Sequence, residues 1–182
     1  MPRPALSVLA LSIGALLTGC AALLGPNARA DLLDPAGANA GSVTLTPTLA
    51  GTQVSVRVSG LTPGQHAMHV HVNPSCTNTT DAAGVVTVFG GAGGHFDPGG
   101  SNNHDAPTTD NARGHGGDLP MITVGADGTG SADFTTSKIS LTGANSAIGR
   151  SLIIHANPDD YATDPSGNSG ARERCGVITA VQ

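Results

Sequence analysis

Three histidines fall within six residues of the stretch Gly64–Asn73: His66, His69 and His71, in a chain that has seven. Imidazole changes charge near neutral pH, and its neutral form is a good donor to zinc and copper. Four more histidines follow at positions 95, 104, 115 and 155, and Asp118 closes the run His115-Gly-Gly-Asp. A carboxylate among imidazoles is an ordinary zinc ligand. Six histidines and one aspartate exceed one tetrahedral site and suffice for two sites that share a ligand. A metal centre is the chemistry these residues point to, and spacing alone does not choose the metal.

The elements that carry them are strands. Met68, Val70 and Val72 alternate with His69, His71 and Asn73. Residues i and i+2 share a face of a strand, so the apolar three face a core and His69 and His71 project together from the other side. His66 shares the parity of the apolar set and reads as a structural histidine. Alternation recurs at Val43 and Leu45 and at Val54, Val56 and Val58, which predicts half-buried strands. Residues 121–135 predict a hairpin turning at Asp127-Gly128, residues 151–157 a strand that brings His155, and residues 173–181 a last strand. Two long irregular segments remain, about 74–120 and 156–172. Loops of that length in a small domain are functional or disordered, and the first holds His95, His104 and His115. With 26 Gly, 12 Pro and 2% aromatic residues, long helices are disfavoured. The fold class expected is all-β: an antiparallel Greek-key β-sandwich or flattened barrel with two long functional loops.

Length of 182 residues suits one folded domain. A net charge of −5 without a Lys/Arg block gives no reason to expect a nucleic-acid partner. Residues 1–19 hold one charge, Arg3, and an apolar run of signal-peptide length. The run ends in Leu-Thr-Gly-Cys, Leu17–Cys20, which resembles a bacterial lipobox, where cleavage precedes a lipid-modified cysteine. Residues 20–41 are Ala/Gly/Pro-rich and read as a lipid-anchored flexible tether, leaving 42–182 as the domain. Outside the cytosol, the remaining Cys76 and Cys175 suggest one disulfide; two free buried thiols are the alternative.

The segments GQHAMHVH, GGHFDP, HGGDLP, IGRSLIIH, DDYATDPSGNSGAR and CGVI occur in that order. Together they resemble the copper/zinc superoxide dismutase family over about residues 42–182, in a bacterial lipoprotein-type form. The resemblance implies an oxidoreductase that turns two superoxide anions and two protons into dioxygen and hydrogen peroxide, with copper and zinc as cofactors. It implies His69, His71, His95 and His155 as copper ligands. It implies His95, His104, His115 and Asp118 as zinc ligands, His95 bridging the two ions. Asp159 matches a carboxylate that joins a copper histidine to a zinc histidine. Arg172 matches the arginine that guides the anion. Cys76 and Cys175 match the family's disulfide, and His66 a structural histidine, in agreement with its parity.

Three departures carry expectations of their own. Asp105 follows His104 where relatives commonly have Gly, and the interval to His115 is longer, so the zinc loop should differ in course. Glu173 stands beside Arg172 and is placed to pair with it and blunt its pull. The run Asp159–Gly170 has no lysine to aid steering. A competing reading is a non-enzymatic copper/zinc-binding or metal-delivery domain on the same fold. A third, an adhesion or scaffold sandwich, gives no reason for six clustered histidines. Export and an anchor at Cys20 place the chain in the cell envelope, on the periplasmic or outer side of a bacterial membrane, as a monomer or homodimer.

Overall fold

The computed structural model describes residues 25–181. Signal segment 1–19 and Cys20 lie outside the described residues. The strands are β1 (Ala28–Leu33), β2 (Asn39–Thr48), β3 (Gly51–Ser59), β4 (Gly64–His66), β5 (Met68–His71) and β6 (Thr79–Thr80). They continue as β7 (Val86–Thr87), β8 (Ile122–Val124), β9 (Thr129–Thr136), β10 (Ser151–His155), β11 (Arg172–Val177) and β12 (Thr179–Ala180). Among the described residues the one helical piece is a 3-10 turn at Gly90–Ala92.

The main sheet runs β4-β8-β9-β3-β2-β1-β11-β10-β5, with β12 beside β1, and every strand pair is antiparallel. The two ends of that order, β4 and β5, are separated in the chain by Ala67 alone, so the sheet curls into a nearly closed barrel. Val43, Leu45, Val54, Val56, Val58, Met68 and Val70 all point into one buried core, as the alternation requires. The hairpin turns at Asp127-Gly128, where Gly128 at φ 76 takes a conformation that suits glycine. Val72 departs from expectation: it lies beyond the end of β5 and is 38% exposed.

The expected tether through residue 41 is corrected for its second half. Residues 28–33 form β1, which fits between β2 and β11 and buries Ala28, Ala30 and Leu32. Without β1 the barrel would have two unpaired edges at β2 and β11. Arg29 and Asp31 alternate outward, so the strand's period is present, but two of its three inward residues are alanines with weak strand preference.

β5 and β10 are buried on both faces. Their inner residues join the core, and their outer residues are covered by the long segments. Phe89, Ala92 and Val88 pack on Ile153 and Cys175, where Cys76 and Cys175 are joined in a disulfide with Cα atoms 5.7 Å apart. The free edge of β5 is capped by loop backbone: Val70 donates to Gly117 O at 2.9 Å and Phe96 to Val70 O at 2.8 Å. A Cβ on Gly117 would collide with Val70 O, so this approach needs glycine.

Candidate metal centre

His69 and His71 project from the outer face of β5, and His155 from the neighbouring β10. Val72 donates to Gly94 O at 3.0 Å, and His71 and His95 form an isolated bridge, so the loop brings His95 against the strand. His69, His71, His95 and His155 each offer a nitrogen within 4.8 Å of the others. His66 stays apart. Its two ring nitrogens lie 2.7 Å from His155 O and 2.8 Å from Thr62 O, leaving neither for a metal.

In the cluster, one nitrogen of each ring is spoken for. His71 Nδ1 donates to Gly93 O at 2.9 Å. His155 Nδ1 lies 3.1 Å from the Ser169 hydroxyl and 3.3 Å from Gly170 O. His69 Nε2 donates to Asp159 Oδ2 at 2.6 Å. His95 Nδ1 contacts Asp118 Oδ1 at 2.9 Å. The opposite nitrogens, His69 Nδ1 and Nε2 of His71, His95 and His155, are buried and have no hydrogen-bond partner. A buried polar atom without a partner is costly, and four that converge are what a metal would satisfy.

A second convergence adjoins the first. His104 Nδ1 and His115 Nδ1 lie 3.0 and 3.6 Å from the same Asp118 Oδ1 without hydrogen-bond geometry, and both are otherwise unpartnered. Distance alone also groups His69 with His95, His104 and Asp118, because rings 69 and 95 are 3.9 Å apart. Ring orientation separates the groups more sharply, since His104 and His115 turn Nδ1 toward Asp118. His104 Nε2 donates to Asp159 Oδ1 at 2.8 Å, so Asp159 ties His69 to His104. A Cβ on Gly167 would strike that carboxylate, and its φ of 65 also calls for glycine.

Burial drives the electrostatics. It pushes His71 and His155 well below the ordinary imidazole range, helped by neighbouring rings and Arg172. Burial lowers His69 and takes His95 to about 4. These rings are neutral at pH 7 and keep lone pairs for a metal. Burial would also lower His104, but Asp118 and Asp159 outweigh it and raise the ring to about 9. Burial raises both carboxyls, yet the histidines gathered around them hold Asp118 and Asp159 far below the usual range.

His71, His95, His155 and Arg172 line an open cavity of about 230 Å³ with Pro165, Ser166 and Gly170. Arg172 donates to Phe89 O at 2.8 Å and Gly93 O at 2.7 Å. The expected pairing with Glu173 does not form: Arg172 carries no ion pair among the described residues. His155 is registered on Arg172 and Ile154 on Arg174, so Glu173 falls in a bulge between them. Arg174 instead bonds the Ser59 and Gly60 carbonyls. Asp105 serves through its backbone N–H, which donates to Asp118 Oδ2 at 3.2 Å, so a side chain in place of Gly is accommodated. Sequence reasoning missed Gly93, Ser169 and Gly170, which orient rings, and Asp164, whose Oδ1 accepts the His104 N–H at 2.6 Å. Backbone carbonyls leave no residue-type signal.

Residues 39–178 match the copper/zinc superoxide dismutase (SODC) family. The chain is 54% identical over 171 residues to a superoxide dismutase [Cu-Zn] of Deinococcus radiodurans, covering 94% of each protein. It is 38% identical over 148 residues to one of Caulobacter vibrioides, covering 78% of this chain and 79% of that protein. Among solved structures it resembles the Cu/Zn superoxide dismutase from Brucella abortus, with a TM-score of 0.73 and 34% identity, over 83% of this chain and 98% of that one.

Proposed function

The chain belongs to the copper/zinc superoxide dismutase family, and from that premise we propose which residues do its work and where it works. It is an oxidoreductase that converts two superoxide anions and two protons into dioxygen and hydrogen peroxide, with copper and zinc as cofactors. The bound copper supplies a one-electron couple, and the bound zinc a fixed dication beside it. His69 Nδ1 and Nε2 of His71, His95 and His155 would hold copper. His95, His104, His115 and Asp118 would hold zinc, with His95 a ligand to both ions. The observation that carries this assignment is the set of buried ring nitrogens left without partners. Asp159 orients one ring in each group.

Arg172 draws the anion into the cavity. Its guanidinium is anchored by two carbonyls and remains protonated at any physiological pH. Among the side chains lining the cavity it is the one fixed positive charge, beside that of the ions the histidines would hold. His95 lines this cavity, and its ring would take up a proton from solvent and pass it to the hydrogen peroxide being formed. Metal content and dismutation rate, measured on one purified sample, test the assignment. His71→Ala should lose copper and activity together, and a variant of unchanged rate with verified metal would refute it.

The place of work is the cell envelope. Residues 1–19 direct export, Cys20 carries lipid, and the enzyme protects the envelope from superoxide. The disulfide between Cys76 and Cys175 supports this, because such bonds persist outside the cytosol. Cys20→Ala should shift the protein from the membrane to the soluble fraction; continued membrane retention would refute attachment at that residue.

A further inference from the structure

One end of the barrel differs in composition from the rest. Residues 25–28, the β2–β3 turn at 47–52, residues 139–149 and residues 178–181 meet there. Thr52 Oγ1 donates to Ile139 O at 2.9 Å, Val181 to Asn27 O at 2.8 Å and Gly149 to Ile178 O at 3.0 Å. A Cβ on Gly25 would stand 3.0 Å from Thr142. None of these four segments carries a charged residue, in a chain of net charge −5. Leu49, at the tip of the turn, is 95% exposed, and Val181 is 45% exposed. The flanking charges are Arg29, Arg150, which also bonds Val72 O, the buried Lys138, and the self-compensating pair Asp110–Arg113. Acidic residues gather at the opposite end: Asp34 in the β1–β2 turn, Asp127 in the β8–β9 turn, Asp160, and Glu173.

The described chain begins at the charge-free end. Cys20 precedes Gly25 by five residues, a reach of at most about 18 Å when fully extended. Arg172 lies eight residues before Ala180, which pairs with Ala28, so it is up to roughly 27 Å farther along the barrel at about 3.4 Å per residue. The greatest reach of the tether is smaller than that greatest separation. The tether therefore favours contact through the end where the chain enters.

We propose that this end is the surface that rests on the lipid bilayer. Leu49 enters the headgroup region, the uncharged turns lie against it without leaving buried charges, and Arg29 and Arg150 meet anionic phosphates at the rim. The acidic end and the Arg172 cavity then face the aqueous side, from which superoxide arrives. The inference rests on lipid attachment at Cys20 and adds the orientation that attachment imposes.

The chain has no tryptophan, so single substitutions make clean fluorescent reporters. Leu49→Trp reports from the charge-free tip. Val85→Trp reports from a 60% exposed position on the β6–β7 hairpin, beside the groove of Thr87, Val88 and Arg172. Each variant is made as the full, metal-loaded, lipid-modified protein. Each is reconstituted on phosphatidylethanolamine/phosphatidylglycerol vesicles with brominated acyl chains. The expected result is a blue shift and loss of emission for Leu49→Trp, and neither for Val85→Trp. Protein that floats with the vesicles while Leu49→Trp stays unquenched, or while Val85→Trp is quenched instead, overturns the orientation. A concentration-dependent blue shift at Leu49→Trp without bromine quenching means that a second copy covers this end, and overturns it too. Protein that fails to float refutes the attachment at Cys20 and the orientation with it.

Discussion

The two halves of the centre are held by different means. His69, His71 and His155 stand on β5 and β10, whose backbones are locked in a ladder at Ser151–His71 and Ile153–His69. His104 and His115 stand on a loop with no ladder of its own. Their positions depend on Asp118 and Asp159, on Asp164 at the His104 N–H, and on the His115 N–H bond to Asn103 O at 3.0 Å. His95 lies between the halves and touches both. The barrel would place the first half whether or not a metal is bound. In the second half, three nitrogens crowd one carboxylate oxygen, an arrangement that a dication would relax. One half of the centre is thus fixed by the strand ladder, and the other is held by loop contacts that a bound ion would reinforce.

The contrast can be broken most severely from the strand side. His71→Ala should reduce dismutation to background while the far-ultraviolet circular dichroism and the zinc content stay near wild type. Loss of zinc as well would mean that the halves are not separable. Next in size, chelation should act on the loop half. Zinc removal should raise protease cleavage and amide exchange within residues 97–116 and leave β5 and β10 protected. Uniform loss of protection would put the loop and the barrel in one cooperative unit.

Asp159→Asn probes the carboxylate that spans both halves. Partners of metal-bound histidines typically contribute about 10–100-fold in metal affinity. The zinc affinity should fall by that order and the copper affinity by less, because His69 remains fixed by its strand. Equal losses, read from competition titrations, would make Asp159 a general packing residue. The smallest effect expected on activity is at the mouth. Arg172→Ala should slow the reaction by roughly tenfold at low salt and flatten its salt dependence, with copper retained. An unchanged rate would show that steering does not depend on this side chain.

The same contrast explains what could be read from the chain. Strand parity separates His66 from His69 and His71 once Met68 and Val70 face the core, and the separation holds although the chain breaks between β4 and β5 at Ala67. The loop half has no period, and its residues become legible only through the order of motifs shared with the family. β1 escaped because its inward Ala28 and Ala30 are small, and because Gly and Pro on both sides resemble a linker. The isolation of Glu173 from Arg172 depends on a bulge, which reflects how β10 and β11 register and has no residue signature of its own. The carbonyls of Gly93 and Gly170 that turn His71 and His155 are backbone atoms, and so invisible in a list of side chains.

The most direct test of the division is metal analysis of His71→Ala and His115→Ala beside the wild type, each purified after the same copper and zinc loading. The wild type should hold one copper and one zinc per chain, His71→Ala zinc alone, and His115→Ala copper alone. If either variant loses both metals or keeps both, the partition of these nitrogens into a strand-borne copper set and a loop-borne zinc set is wrong.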